Sequence, residues 1–230
     1  PMMGVMGAFI FAAQMLNFTI PATGSSGHIT GGILLAAMIG GSAALLSMSA
    51  VLIIQCLFFA DGGLLALGCN IFNIGIVPCL VVYPLIFKPI LKRGITPGRI
   101  TAVSVFAAVT GLQIGAFCVV AETWASGIAE LPFTAFVVLM QPIHLAIGIA
   151  EGIVTAAILC FVYKMRPEIM ESVLNGTTLK SGNSMRNILI AFAIIALFAG
   201  SVLSMFASTN PDGLEWAILV IQPDFFKGNP

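Results

Sequence analysis

Charged residues are scarce in this sequence. Asp, Glu, Lys and Arg together make up 8% of its 230 residues, and hydrophobic residues make up 59%. A typical soluble domain carries about a quarter charged residues, so the composition excludes a soluble globular protein. The nine basic and nine acidic residues leave no net charge, and this balance does not indicate nucleic acid or another acidic partner.

Motifs of nucleotide binding and catalysis are also missing. The chain has no G-x-x-x-x-G-K-[ST] phosphate loop, no G-x-S-x-G nucleophile motif and no H-E-x-x-H zinc motif. If the protein moves a solute actively, we therefore expect the energy to come from another chain. The sequence has no signal-peptide pattern and begins at Pro1 rather than at Met, so we expect a fragment of a longer protein.

Cysteine pairs with the C-x-x-C spacing of redox or metal motifs are absent. Free cysteine commonly behaves as a small hydrophobic residue, and all five cysteines lie in apolar segments. We therefore predict buried core residues, with no bound cofactor, at Cys56, Cys69, Cys79, Cys118 and Cys160.

Long uncharged segments are the main feature that is present. A helix needs roughly 20 residues, at a rise of about 1.5 Å each, to cross a bilayer. The segment from Gly31 to Ala60 is too long for one span, and Gly40-Gly41 offers a position for a turn. Dividing it there predicts seven membrane helices, and hence an all-α polytopic membrane helix bundle with a six-helix core and one C-terminal transmembrane helix. The segments run from Gly4 to Ile20, Gly31 to Ala60, Leu64 to Phe87, Ile100 to Ala121, Phe133 to Tyr163 and Asn187 to Ala207.

Basic residues are concentrated in two loops, which contain eight of the nine. The positive-inside rule predicts that both loops are cytoplasmic, and the two spans between them agree with that assignment. Counting outward then puts the loops around His28, Asp61 and Glu122 to Glu130 outside, together with the tail from Ser208. The basic residues of the two loops are Lys88, Lys92, Arg93 and Arg99, and Lys164, Arg166, Lys180 and Arg186.

His28 lies in the glycine-rich sequence SGHITGG, Ser26 to Gly32, at the outer mouth of a predicted helix. Neutral imidazole is a common protein ligand of Ni, Cu and Zn ions. A lone histidine lacks metal-ligand spacing. The alternative is therefore an interfacial histidine that bonds a neighbouring carbonyl group.

His144 and Glu151 lie seven residues apart in one predicted span, so both point from the same helix face about two turns apart. Ionisable side chains inside a bilayer are costly and usually face the bundle interior or a hydrated path. Their pairing indicates either an ion relay or a buried polar clamp that fixes helix packing. We favour the clamp, because a transported ion should meet its ligands nearer the entrance.

Asp61, Asn70 and Asn73 form a second polar group on the predicted outer side. Asn70 and Asn73 are one helical turn apart, and their oxygens can contact an ion or form hydrogen bonds between helices. We also interpret three small-residue spacings as sites of close helix packing: Gly111 to Gly115, Gly148 to Gly152 and Ala8 to Ala12.

The stretch from Pro167 to Ser184 is the one plausible linker. It is polar and contains the turn signals Asn175-Gly176 and Ser181-Gly182-Asn183. It separates the six-helix core from the last helix and a short external tail.

Four segments together resemble the CbiM/NikM family, the substrate-binding membrane subunits of cobalt and nickel energy-coupling-factor transporters. They occur in the order and spacing of the family, over residues 1 to about 163. The tail sequence Asn210 to Glu215, NPDGLE, resembles a segment often attached to such permeases. The four segments are Met3 to Met15, Ser26 to Gly32, Phe59 to Asn70 and His144 to Gly152.

The resemblance implies a four-nitrogen, near-planar metal site. Family members begin with Met-His on an extra N-terminal helix, which supplies the terminal amine, an amide nitrogen and an imidazole, and the SGH histidine supplies the fourth nitrogen. That histidine matches His28. Because this sequence starts at Pro1 without the Met-His segment, we expect the family's N-terminal helix to be missing and the chain alone to bind metal poorly.

The resemblance also implies the function and the partners. We expect a substrate-capture component of an ATP-driven uptake transporter for Co(II) or Ni(II) in a prokaryotic inner membrane. A coupling membrane subunit, separate ATPases and a small accessory subunit would complete it. The domains expected are a permease core over residues 1–163, a cytoplasmic linker over 164–186, and a C-terminal helix with an external PDGLE segment over 187–230.

Two alternatives from other classes remain open at the level of sequence. One is an intramembrane enzyme built on His144 and Glu151, and the other is an assembly subunit that binds no ligand. Metal uptake that depends on partner ATPases favours the transporter, whereas turnover by the isolated chain favours the enzyme.

Overall fold

The structure is a computed structural model that describes residues 1–21, 23–59, 61–127, 131–177 and 185–223. Predictions that concern Glu130, Lys180 and the turn signal at residues 181–183 lie outside these residues. Helices dominate the described ranges, and the strands form one two-residue hairpin. In chain order the elements are α1 (Met2–Gln14), β1 (Phe18–Thr19), β2 (Ser26–Gly27), α2 (Gly32–Ile39), α3 (Gly41–Phe59), α4 (Gly63–Asn70), a π-helical segment (Ile71–Phe87), α5 (Lys88–Lys92), α6 (Pro97–Ser126), α7 (Phe133–Met165), α8 (Pro167–Asn175), α9 (Met185–Ser201), a 3₁₀ turn (Leu203–Phe206) and α10 (Gly213–Ile221).

The predicted all-α membrane bundle is confirmed, although its helices differ in length. Three of the seven predicted spans form short helices, with 13 residues in α1, 17 in α9 and 8 in α2. A helix of eight residues rises only about 12 Å, so α2 is a half-helix rather than a full span. Four helices are long and apolar enough to cross a membrane: Gly41–Phe59, Gly63–Lys92, Pro97–Ser126 and Phe133–Met165.

Gly40 divides the long apolar segment as its sequence predicts. It joins α2 to α3 with φ at 85°, a conformation that favours glycine. A Cβ atom on Gly41 would lie 2.5 Å from the carbonyl oxygen of Cys79. The two glycines therefore allow the chain to reverse direction in contact with the π-helical segment.

The helix from Gly63 to Lys92 is irregular because it contains two prolines. Pro78 and Pro84 lack a backbone N–H, and a proline ring clashes with the carbonyl group four residues earlier. The turns from Ile71 to Phe87 widen into a π-helix around them. Gly32, at the start of α2, packs against Pro78, since a Cβ atom there would lie 2.5 Å from the proline Cγ.

Small residues bring α6 close to its neighbours, as their spacing predicts. A Cβ atom on Gly152 would lie 2.4 Å from the Cα of Val105, and Gly148 is nearly as close to the backbone of α6. Gly111 and Gly115 face the π-helical segment, where a Cβ atom on Gly115 would lie 3.3 Å from a backbone oxygen. α6 is therefore packed tightly between α7 and the π-helical segment.

The first half of the predicted linker is helix α8, which corrects the interpretation of Pro167 to Ser184 as a plain polar connection. Pro167 begins α8 and Gly176, with φ at 68°, ends it. Its buried side chains include Ile169 and Met170, which join the main core. α8 contacts α2, α5 and α7, so the elements that carry the two basic loops lie at the same end of the bundle.

The cysteines are not all buried, which corrects the prediction of five core residues. Cys56 and Cys79 are buried, Cys118 and Cys160 are half-buried, and Cys69 is exposed. In a membrane bundle an apolar segment has one face toward its neighbours and another toward lipid. Apolar sequence context therefore does not determine which face a cysteine occupies.

Candidate metal site

The short β-hairpin before α2 carries His28 to the bundle. Phe18 pairs with Gly27 and Thr19 pairs with Ser26, in antiparallel register. A Cβ atom on Gly27 would lie 2.5 Å from the side chain of an isoleucine on α7. Glycine at this position therefore allows the hairpin to lie directly on α7, and His28 is the next residue.

His28 lines a cavity of about 120 Å³ between the hairpin and the helices. His144 and Glu151 of α7 line the same cavity, as their shared helix face predicts. Asn70 and Asn73 line it from the α4 side. The cavity thus brings together both histidines and two amides that are far apart in the sequence.

The Nδ1 atom of His28 is buried and has no hydrogen-bond partner. Buried polar atoms are normally paired, so an unpaired imidazole nitrogen beside a cavity is unusual. The alternative prediction, an imidazole that bonds a neighbouring carbonyl, does not hold for this nitrogen. The ring therefore offers a nitrogen to a ligand.

The carboxylate of Glu151 holds the loop that contains His28. Its Oε2 accepts the backbone N–H of Thr30 at 2.7 Å, and its Oε1 accepts the backbone N–H of Gly31 at 3.1 Å. The hydroxyl of Thr30 lies 2.8 and 3.0 Å from the two oxygens. Glu151 is 1% exposed, so its two oxygens are used within the protein, and the contacts favour the clamp over the relay.

Thr30 is also held from the opposite side, by residues that the sequence analysis did not single out. Gln14 of α1 donates to the carbonyl oxygen of Thr30 at 2.8 Å. Gln55 of α3 in turn donates to the side-chain oxygen of Gln14 at 2.8 Å. Both glutamines are buried in helices without charged residues, and a long amide side chain in such a helix is the signal that would have identified them.

His144 makes a hydrogen bond within its own helix. Its Nδ1 lies 2.8 Å from the carbonyl oxygen of Met140, so the tautomer with the proton on Nδ1 donates this bond. Nε2 is then the acceptor nitrogen of the ring. This arrangement fixes the ring orientation and is compatible with a packing role.

The second predicted polar group is only partly assembled. Asn73 donates to the Oε2 of Glu122 at 2.8 Å, while its own side-chain oxygen is buried without a partner. Asn70 packs beneath Gly62, where a Cβ atom would lie 2.3 Å from its amide nitrogen. Asp61, next to Gly62, is exposed and does not line the cavity, so its role beside the two asparagines stays a prediction. Sequence spacing did not connect Glu122 to Asn73 because the two lie on different helices.

Within the described ranges, no group of three or more His, Cys, Asp or Glu side chains is arranged to hold a metal ion. The cavity instead presents imidazole and amide groups, with a carboxylate whose two oxygens both accept hydrogen bonds from the loop. Imidazole nitrogen suits Ni, Co, Cu and Zn ions better than Mg or Ca ions, which prefer oxygen ligands.

Comparison with protein families agrees with this chemistry. Residues 1–169 match the family model CbiM, described as the cobalt uptake substrate-specific transmembrane region. Residues 186–226 match a second family model, the PDGLE domain. The first match covers most of the chain, and the second covers α9 and α10.

Individual relatives carry names of metal transport. The chain is 35% identical to an Archaeoglobus fulgidus protein named as a fused nickel transport protein, NikMN, over 73% of this chain and 55% of that protein. It is 37% identical to a Haloquadratum walsbyi protein named as a metal transport protein, over 74% of this chain and 75% of that one. A crystal structure of a transition metal transporter matches with a TM-score of 0.62 and 27% identity, over 75% of this chain and 80% of that chain.

Proposed function

The chain belongs to the CbiM family of cobalt uptake substrate-specific transmembrane proteins, and on that basis we propose that it captures Ni(II) or Co(II) at the outer face of the membrane. It is a membrane component of cobalt or nickel transport of the CbiM/NikM type. The ion is its transported substrate rather than a resident cofactor.

The observation that carries the proposal is the unpaired Nδ1 of His28 beside the cavity. A nitrogen that no protein group bonds is available for a metal ion. Its loop is held by Glu151 from one side and by Gln14 from the other. A ligand on a preorganised loop binds with less loss of conformational entropy.

One imidazole does not hold a divalent ion selectively, because geometry and affinity arise from several ligands fixed together. We expect the remaining nitrogens from a Met-His N-terminal segment, as the family resemblance implies. Planar nitrogen ligation favours Ni(II), and Co(II) with more strain. We propose that the entering ion is surrounded by His144, Asn70 and Asn73. Glu151 does not contact the ion but holds the loop that carries His28.

Uptake against a gradient requires energy, and we propose that separate ATPases and a coupling membrane subunit provide it. The family resemblance suggests docking through the small residues of α1. Ala8 is exposed and lines two apolar grooves, whereas Ala12 is buried and lines one of them beside α9. We therefore expect contact through Ala8 and Gly4 rather than through Ala12.

The proposed organisation follows the predicted one. Residues 1–163 form the permease core, residues 164–186 form a cytoplasmic connection that includes α8, and residues 187–230 form the C-terminal helix with its external segment. A multi-pass protein of a prokaryotic inner membrane fits the four long apolar helices and the prokaryotic relatives.

An intramembrane enzyme that uses His144 and Glu151 is less well supported. A general base needs a free carboxylate oxygen within reach of a substrate proton. Both oxygens of Glu151 accept hydrogen bonds from the loop.

The test is ⁶³Ni(II) and ⁵⁷Co(II) uptake in cells that express the complete transporter. We expect His28→Ala to abolish uptake, and an ATPase subunit inactivated at its nucleotide site to do the same. Glu171→Gln, an exposed change on α8, is the matched control and should transport normally. Normal uptake by the His28→Ala protein would refute metal capture at this site.

A further inference from the structure

The turn that precedes α10 is attached to the strand that leads into His28. The backbone N–H of Ser26 donates to the carbonyl oxygen of Pro211 at 2.8 Å. The hydroxyl of Ser26 donates to the carbonyl oxygen of Asn210 at 2.8 Å. The carbonyl oxygen of Pro211 lies 3.3 Å from the same hydroxyl. Ser26 also pairs with Asp212 as a parallel β-bridge. A residue two positions before His28 is thus fully buried under the C-terminal segment.

The same segment holds the other strand of the hairpin. The backbone N–H of Ser208 donates to the carbonyl oxygen of Asn17 at 2.8 Å. The hydroxyl of Thr19 donates to that of Ser208 at 2.9 Å. An isolated two-stranded hairpin is at best marginally stable in water. These contacts give the hairpin a third, strand-like partner and thereby stabilise it.

The segment then enters the wall of the site beside His144. Gly213 is buried, and a Cβ atom on it would lie 3.0 Å from the Cγ2 of Ile143 and 3.1 Å from the Cε1 of His144. Asp212 caps α10 by accepting the N–H of Glu215 at 2.8 Å. Glycine is therefore the residue that lets this turn fit between the hairpin and α7.

We propose that the Asn210–Gly213 turn positions His28 for metal capture, which gives the C-terminal PDGLE segment a role within the same chain. Ser26 and Gly213 are the positioning residues. The inference rests on the proposed function of His28. The imidazole has no hydrogen bond on Nδ1 to orient it, so its place depends on how firmly the backbone of the hairpin is held. Without the turn, metal binding would have to order the hairpin and would be weaker.

The first experiment measures Ni(II) affinity by calorimetry in detergent, on the protein that includes the Met-His N-terminal segment expected from the family resemblance. Ser26→Ala removes the hydroxyl contacts to the turn, and Gly213→Val adds bulk against Ile143 and His144. We expect each to weaken binding by about tenfold or more, as for other groups that orient a metal ligand. Ser172→Ala is the control, because Ser172 is also a buried serine bonded to a carbonyl oxygen, but in α8; it should bind normally.

The second experiment restores the contact by a different bond. The hydroxyls of Thr19 and Ser208 face each other at 2.9 Å, so the double variant Thr19→Cys/Ser208→Cys should form a disulfide, detected by peptide mapping. Added to Ser26→Ala, the oxidised bridge should return the affinity to within about threefold of the parent, since it holds the hairpin in place. Reduction of the bridge should lower it again. A purely structural role for Ser26 would not produce this reversible rescue.

The outcomes separate the inference from the proposed function. Loss of binding in His28→Ala, with Ser26→Ala and Gly213→Val as tight as Ser172→Ala, would overturn the inference and leave capture by His28 intact. Failure of the disulfide to form, or failure to rescue Ser26→Ala, would also overturn it. Tight binding by His28→Ala would instead overturn the proposed function.

Discussion

Glu151 on α7 accepts the backbone N–H of Thr30 at 2.7 Å, across 121 positions of sequence. This bond joins the long helix α7 to the loop that begins α2. With the bond from Gln14 to the carbonyl oxygen of Thr30, it fixes both sides of one peptide segment. The loop of His28 is therefore part of the bundle rather than a free surface loop.

Glu151→Gln should lower the stability of the protein in detergent while leaving it able to insert. The amide keeps the shape of the side chain but replaces one acceptor oxygen with a donor that faces the N–H groups of Thr30 or Gly31. An unsatisfied buried donor costs about 1–3 kcal/mol. Thermal unfolding followed by circular dichroism measures the loss, with Glu171→Gln as the control. Unchanged stability together with loss of metal affinity would mean that Glu151 contacts the ion.

His144→Asn should keep the Ni(II) affinity within a fewfold of the parent. The asparagine amide can donate to the carbonyl oxygen of Met140 as the Nδ1–H of His144 does. The same substitution at His28 should remove a metal ligand and reduce affinity by at least about tenfold. Calorimetry on both variants, each carrying the expected Met-His N-terminal segment, makes the comparison. An equal loss at the two positions would identify His144 as a second ligand.

Lys92→Cys should not react with an impermeant maleimide on intact cells. Lys92 is exposed at the end of the bundle that carries both basic loops, which the positive-inside rule assigns to the cytoplasm. Glu215→Cys, exposed at the opposite end, should react readily. Both are made with Cys69→Ala, because Cys69 is exposed. Labelling of position 92 in intact cells would reverse the topology and place His28 inside.

Gly152→Ala should destabilise the bundle strongly for so small a change. The added Cβ would lie 2.4 Å from the Cα of Val105, so α6 and α7 would have to separate, at a cost of about 1–3 kcal/mol for overpacking. Gly68→Ala is the matched control, since it lies in a helix with nothing within 4 Å of the new atom. Thermal unfolding and yield from membranes compare the two. Equal stability of both variants would contradict the close packing of α6 on α7.

The sequence by itself determined the membrane class, the helical fold and the family. Scarce charge and long apolar segments leave few other folds, because an unpaired backbone in lipid is too costly. It also located the turn at Gly40 and the shared face of His144 and Glu151, since both follow from local geometry. His28 was singled out by its glycine-rich surroundings.

Only the tertiary structure decided what these residues touch. Helical periodicity gives the face of a residue but not the helix that faces it, so it did not pair Glu151 with Thr30 or Asn73 with Glu122. The contact of Ser26 with Pro211 joins residues 185 positions apart through backbone groups. Every residue carries such groups, and only the packing of the whole chain selects which of them meet.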